Sequence, residues 1–181
     1  MNQLWTSITK IRSMTEECTG QKPENTITLQ SARFGELVVP ADSIISFPQG
    51  IIGFADAHEY VLIDHKPPFS WLHSSQEAHL AFVVIDGMEF GDNYRLIPPI
   101  GNDDIDLRED DEYAILVVVT VRPDPMLTTA NLKAPLFVNL RTRRGIQVIY
   151  DNPHLSTRHQ LFSSADSPDA NQVPAVKESS K

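Results

Sequence analysis

Apolar residues between positions 26 and 162 come in short runs, rich in Val, Ile, Leu and aromatics and separated by Gly, Pro, Asn and Asp. That punctuation predicts β-strands. The expected strands are residues 27–33, 36–39, 43–47, 60–64, 69–73, 80–86, 113–121, 136–141 and 146–150. Two of them, LAFVVI (80–85) and AILVVVTV (114–121), are apolar on both alternating faces. Such strands belong in the middle of a fold, covered from two sides. No long amphipathic stretch lies between strands, which argues against a parallel sheet with helical crossovers. The expected fold is all-β: a single antiparallel, barrel-like domain with a few short helical turns. One of those turns is expected in DNPHLSTRHQLF (151–162), with Asn152 as its N-cap and Pro153 in the first helical position. No internal repeat is found.

Outside this region the pattern fades. Residues 1–25 read as a flexible N-terminal arm, in which Leu4, Ile8 and Ile11 share a face at helical spacing and predict a short, fraying helix. Residues 163–181 contain no aromatic and few apolar residues. They predict a disordered tail, because so little burial cannot offset the entropy lost on ordering. With 181 residues the chain is long enough for one domain and its tails.

Charge and cysteine usage narrow the function. A net charge of -9 opposes binding to phosphates and favours a basic protein partner. The only basic cluster is Arg141, Arg143 and Arg144, with no basic and aromatic stripe of the kind that holds RNA. Cys18 is the single cysteine and cannot pair within the chain, which fits a reducing compartment. The apolar run Ala114–Val119 is far short of the roughly twenty residues of a membrane span, and the N-terminus lacks the apolar core of a secretory signal. A cytoplasmic protein is expected.

Reactive chemistry is sparse. His58, His65, His73, His79, His154 and His159 form no pair at metal-ligand spacing, so they read as surface or core histidines. No nucleophile elbow or phosphate-binding glycine loop is present. No cofactor is expected and nothing calls for an enzyme. The competing reading is a small barrel enzyme or ligand-binding protein whose fold gathers distant histidines and carboxylates around a metal.

Three stretches are candidates for contact. ISFPQGIIGF (45–54) combines apolar bulk with Pro48, Gly50 and Gly53, so it is either pure turn architecture or a binding surface. Phe47 and Phe54 are read as core anchors at its two ends; Ile51 and Ile52 are the residues expected to face outward. NDDIDLREDDE (102–112) sets seven carboxylates against one arginine. It is either a solvated loop or a surface that steers a basic partner, with Asp103, Asp104, Asp110 and Asp111 as its candidate charges. In PMLTTANLKAPLFVNL (125–140), Thr129 and Asn131 are suited to bonding nearby backbone in a turn, and Pro135 to opening a strand. Asn131 and Lys133 complete the candidate set.

Taken in order, Phe34-Gly35, ISFPQGIIGF, Tyr60–Ile63, FSWLHS (69–74), LAFVV (80–84), TTANLKAPLFVN (128–139), RGIQVI (144–149) and Arg158-His159 resemble one family, the FliW-type flagellar assembly factors. The resemblance spans about residues 26–162 and neither end. It departs at Ile52, where the family commonly has proline, at Ala55, where it has glutamate, and at His73, where L-Q-S is frequent. The resemblance implies a small, non-catalytic β-barrel of the bacterial cytoplasm, monomeric when free. It implies two partners: the translational repressor CsrA, whose hold on flagellin messenger RNA is lifted, and newly made flagellin, which frees CsrA again.

Overall fold

The computed structural model describes residues 25–162; the arm and tail expected at residues 1–25 and 163–181 lie outside them, apart from Asn25. Among the described residues eleven strands are formed. A hairpin of β1 (Thr26–Ser31) and β2 (Gly35–Pro40) stands apart as its own two-stranded sheet. The rest of the chain makes one sheet: β3 (Ile45–Ser46), β4 (Glu59–Asp64), β5 (Phe69–Ser74), β6 (Ala81–Asp86), β7 (Tyr113–Thr120), β8 (Thr129–Ala130), β9 (Leu136–Asn139), β10 (Arg144–Gln147) and β11 (His159–Gln160).

That sheet curls into a closed ring of seven strands, β3-β4-β5-β6-β7-β9-β10, sealed where β10 meets β3. Strand β7 makes closure work by using one edge twice. Its first half, Tyr113–Leu116, pairs with β9, and its last residues, Val119 and Thr120, pair with β8. Closure removes the exposed edges that invite aggregation. The expected antiparallel barrel is therefore present, with one departure: the β10–β3 seam is parallel, through Arg144 and Ser46.

The two runs apolar on both faces form β6 and β7, and the burial pattern explains why. Inside the ring, Leu62, Leu72, Val84, Leu116, Leu136 and Val138 pack with Phe47 and Tyr60. Outside β4 and β5, the β1–β2 hairpin covers Val61, Ile63 and Trp71 with Leu29, Leu37 and Val39. Outside β6 and β7, Ile85, Val117 and Val119 are covered by Tyr94, Leu132, Leu155 and Leu161. The interior is a packed core.

Three local expectations are corrected. Residues 151–162 do not form a helix. The Asn152 side chain does accept the His154 amide at 2.9 Å and the Leu155 amide bonds back to the Asn152 carbonyl at 3.1 Å, but a single turn is a costly nucleus that needs further turns to be recovered. The chain instead gives the Ser156 carbonyl to the Leu132 amide, adds β11 to β8, and sends Leu155 and Leu161 into the outer core. Strand β10 starts two residues earlier than expected and is followed by irregular bonds from Val148 to Pro135 and from Tyr150 to Lys133. Ala41–Ser43 is a 3-10 turn, so β3 begins after Ser43.

Candidate functional site

The turn 47–55 is built on backbone constraint. Gly50 has φ +66, and a Cβ there would sit 2.7 Å from the Ala55 Cα. Only glycine fits both the conformation and the space. Gly145 on β10 answers it from below: a Cβ there would lie 2.5 Å from two ring carbons of Phe47. Phe47 is fully buried and meets Tyr60 edge-to-face at 5.5 Å. Among the described residues the Tyr60 hydroxyl has no hydrogen-bond partner. Burial, with the nearby Glu77 carboxylate, pushes its pKa up to about 12.

The four-residue hairpin at the tip reverses two assignments. Ile51 and Phe54 bond each other through their backbones, Phe54 N to Ile51 O at 2.7 Å and Ile51 N to Phe54 O at 3.4 Å. Ile51, expected to face outward, is 3% exposed and belongs to the barrel core. Phe54, expected as a core anchor, is 43% exposed and rests edge-on against Phe82 at 5.1 Å. Ile52 is 59% exposed, as expected. The alternation of a strand fails here because Gly53, at φ +87, turns the chain between them.

Hydrogen bonds set this tip beside two other segments. The Ile52 amide donates to the Gln147 side chain at 2.9 Å, and Gln147 also donates to the Ala134 carbonyl at 3.0 Å. Two residues beyond Gln147, Ile149 is exposed, and the next residue, Tyr150, donates its hydroxyl to the Ile97 carbonyl. Ile97 and Ile100 are exposed as well. Gln49 donates to the Asp104 carboxylate at 3.3 Å, which joins the turn to the acidic run. Sequence reasoning placed Phe54 in the core and missed Ile97, Ile100 and Ile149; the signal for these three is an isoleucine beside a proline or just past the end of a strand.

The acidic run is divided. Ile105 and Leu107 are buried, and around them Asn139 on β9 donates to the carbonyls of Ile105 and Asp106 at 3.1 and 3.0 Å and to the Asp111 carboxylate at 3.1 Å. Arg141 clasps Asp111 with two bonds, 2.7 and 2.8 Å, and reaches Asp106 at 3.0 Å. The Asp111 side chain is only 10% exposed. Its pKa lies well below the ordinary carboxylate value, through the Arg141 hydrogen bonds first and the Arg108 amide second. Asp106 is lowered too, again mainly by Arg141. Asp111 is therefore a structural charge rather than a free one. Asp103 and Asp110 are exposed and Asp104 half-buried.

The remaining candidates serve the backbone. The Asn131 side chain accepts the amides of Lys133 and Ala134, both at 3.2 Å, as its turn role required. Lys133 is half-buried and its carbonyl accepts the Tyr150 amide at 2.9 Å. Thr129 lies in β8, and the side-chain bond expected of it comes from Thr128, which accepts the Arg122 amide at 3.3 Å. His73 is a core histidine, its Nδ1 2.6 Å from the Ser74 carbonyl. Among the described residues no group of three or more His, Cys, Asp or Glu side chains could hold a metal.

The family model described as FliW protein matches residues 28–161, nearly the whole described region. The chain belongs to the FliW family. Its relatives include the flagellar assembly factor FliW of Natranaerobius thermophilus, 39% identical over 140 residues, 75% of this chain and 92% of that one. The FliW of Leptospira interrogans serogroup Icterohaemorrhagiae serovar copenhageni is 38% identical over 143 residues, 77% of this chain and 95% of the relative. A crystal structure of the flagellar assembly factor FliW superposes with a TM-score of 0.67 at 30% identity, covering 76% of this chain and 98% of that one. The seven-stranded barrel is thus the FliW fold. Among the described residues no helix is long and apolar enough to cross a membrane.

Proposed function

We propose that this chain is a non-enzymatic, cytoplasmic binding protein, monomeric when free, with two competing partners. One is a CsrA-type translational repressor, which it draws away from flagellin messenger RNA. The other is flagellin itself, whose binding supports flagellum assembly and releases the repressor. Membership of the FliW family supports the assignment to flagellar assembly. The observation that carries a partner-binding role is the surface around the turn: Ile52 and Phe54 are exposed beside a loop whose Asp103 and Asp110 are exposed and enter none of the ion pairs among the described residues. An apolar patch edged with free carboxylate suits a basic protein.

The switch itself requires negative coupling: if flagellin weakens repressor binding by some factor, the repressor weakens flagellin binding by the same factor. Titrating flagellin into a preformed complex with the repressor tests this directly. Release of the repressor is the expected result, and a stable ternary complex with unchanged affinities would refute the switch. Replacing Ile52 and Phe54 by serine is expected to weaken at least one partner by about tenfold or more, given what exposed aromatic anchors contribute to interfaces. Unaltered affinity for both partners would remove this patch from the mechanism.

A further inference from the structure

A second surface of the barrel has the opposite electrostatic character. Strand pairing places His73 opposite Ala81 and Trp71 opposite Val83 on the outer face of β5 and β6. Above them the turn of the β1–β2 hairpin brings Ala32 and Arg33, and the loop between β5 and β6 brings Ala78 and His79. The two walls are tied together, the Ala32 amide donating to the Ala78 carbonyl at 2.8 Å. The hairpin turn is held by Ser31, whose hydroxyl accepts the amides of Arg33 and Phe34 at 3.2 and 3.1 Å. Between the walls lies a pocket of about 350 Å³.

Among the described residues its lining is one arginine, two histidines, one tryptophan and three alanines, with no carboxylate. In a chain of net charge -9 that composition is a local inversion. Arg33 sets its guanidinium 4.4 Å above the Trp71 ring, where the stack orients the group while leaving its donors available. None of the ion pairs among the described residues uses Arg33. Glu77, which adjoins Ala78 in the chain, is exposed and is not among the lining residues. The His73 ring is held in place, 1% exposed and bonded through Nδ1 to the Ser74 carbonyl. A carbonyl only accepts, so Nδ1 carries the hydrogen and the tautomer is fixed.

We propose that this pocket binds a small oxyanion, a carboxylate or a phosphate. Arg33 supplies the charged fork, His79 a further ring at the rim, Trp71 and the alanines an apolar floor. The planar guanidinium matches both anions in bidentate geometry, and the pocket is at the small end of the range seen for small-molecule sites. The site is separate from the Ile52–Phe54 surface: Ala81 lines the pocket, whereas Phe82, the next residue along the same strand, packs with the inner core and carries Phe54. The proposal does not depend on the partner reading.

The test uses the full chain with Trp5→Phe, which leaves Trp71 as the only tryptophan and its fluorescence as the readout. Inorganic phosphate and succinate are titrated separately, each against sodium chloride at matched ionic strength. A saturable change with phosphate alone assigns a phosphate site, and one with succinate alone, or with both, a carboxylate or general oxyanion site. Arg33→Gln is expected to raise the dissociation constant by about tenfold or more, the scale of a lost hydrogen bond to a charged group. Arg122→Gln, which removes the same charge away from the pocket, is expected to leave it unchanged. Should Arg33→Gln melt far below the parent, His79→Gln takes its place, with an expected several-fold weakening. The proposal is overturned if the signal is linear in anion, is matched by chloride, or saturates equally in the variants.

Discussion

The apolar turn 47–55 and the acidic run 102–112 are neighbours joined by Gln49 and Asp104, and they are held by different physics. In the turn, position is set by excluded volume: Gly50 against Ala55, Gly145 against Phe47, Ile51 in the barrel. In the run, position is set by charge-assisted hydrogen bonds, with Arg141 and Asn139 gathering Asp106 and Asp111 over buried Ile105 and Leu107. Each segment nevertheless delivers the same product, a rigid base carrying a few free side chains. Ile52 and Phe54 are free in one, Asp103 and Asp110 in the other. A uniform composition therefore conceals a division of labour, and perturbations should separate the two mechanisms.

The largest effect is expected where packing has no slack. Phe47→Ala should destabilise the domain by about 3–5 kcal/mol, the range for removing a fully buried aromatic. Gly145→Ala should cost about 1–3 kcal/mol through overpacking against the same ring. Because the two residues touch, the costs should not add. With Phe47 already truncated, the new methyl enters space the ring has left, and the double variant should be more stable than the sum predicts by about 1 kcal/mol. Denaturant melts of the four proteins measure this. Strict additivity would mean that the ring is not what excludes a Cβ at position 145.

The acidic run should respond to pH where the turn does not. Asp111 has a folded pKa below its ordinary value of 3.8. Its contribution is therefore complete above that value and is lost as pH falls through the folded one, because the unfolded chain takes up the proton first. Melting temperature should drop between about pH 5 and pH 2. Arg141→Gln should be less stable than the parent at pH 7 and should lose less on acidification, since Asp111 then has little to lose. Melts of both proteins across that window decide the matter. Parallel curves would show that other carboxylates carry the acid sensitivity.

How much of this could be read in the sequence depends on the length scale of the signal. LAFVVI and AILVVVTV were legible as central strands because apolar residues on both faces need cover on both sides, and both faces are covered. Strands β8 and β11 were not, since two residues hold no period. The inversion of Ile51 and Phe54 has a similar cause: past Gly53 the side-chain alternation restarts, and composition cannot say with which face. The role of Asn131 was legible because its bonds are to residues two and three positions on. The commitment of Asp111 was not, because Arg141 is distant in sequence and only the β7–β9 pairing brings them together. Helical signals at 151–162 were real but local, and bonds to Leu132 and Ala130 outweigh them.

The smallest effect on stability should come from the free carboxylates, and there the comparison is sharpest. Replacing Asp103 and Asp110 by asparagine removes exposed charges, so the fold should change by no more than about 0.5 kcal/mol. Replacing Asp106 and Asp111 breaks the Arg141 clasp and should lower the melting temperature clearly. Association with a basic repressor should reverse that ranking. Steering depends on uncompensated charge at long range, within a screening length of about 8 Å at physiological salt. The Asp103/Asp110 variant should therefore associate more slowly and with a flatter salt dependence, while its dissociation rate stays near that of the parent. In the Asp106/Asp111 variant, Arg141 is released as a carboxylate pair is lost, so any slowing should accompany structural loosening, visible as a lower melt. Stopped-flow association across a salt series, with a melt of each variant, separates the two cases. If the Asp103/Asp110 variant associates at the parental rate at every salt concentration, the acidic run is scaffold throughout, and the exposed apolar side chains of the turn are left to account for partner binding.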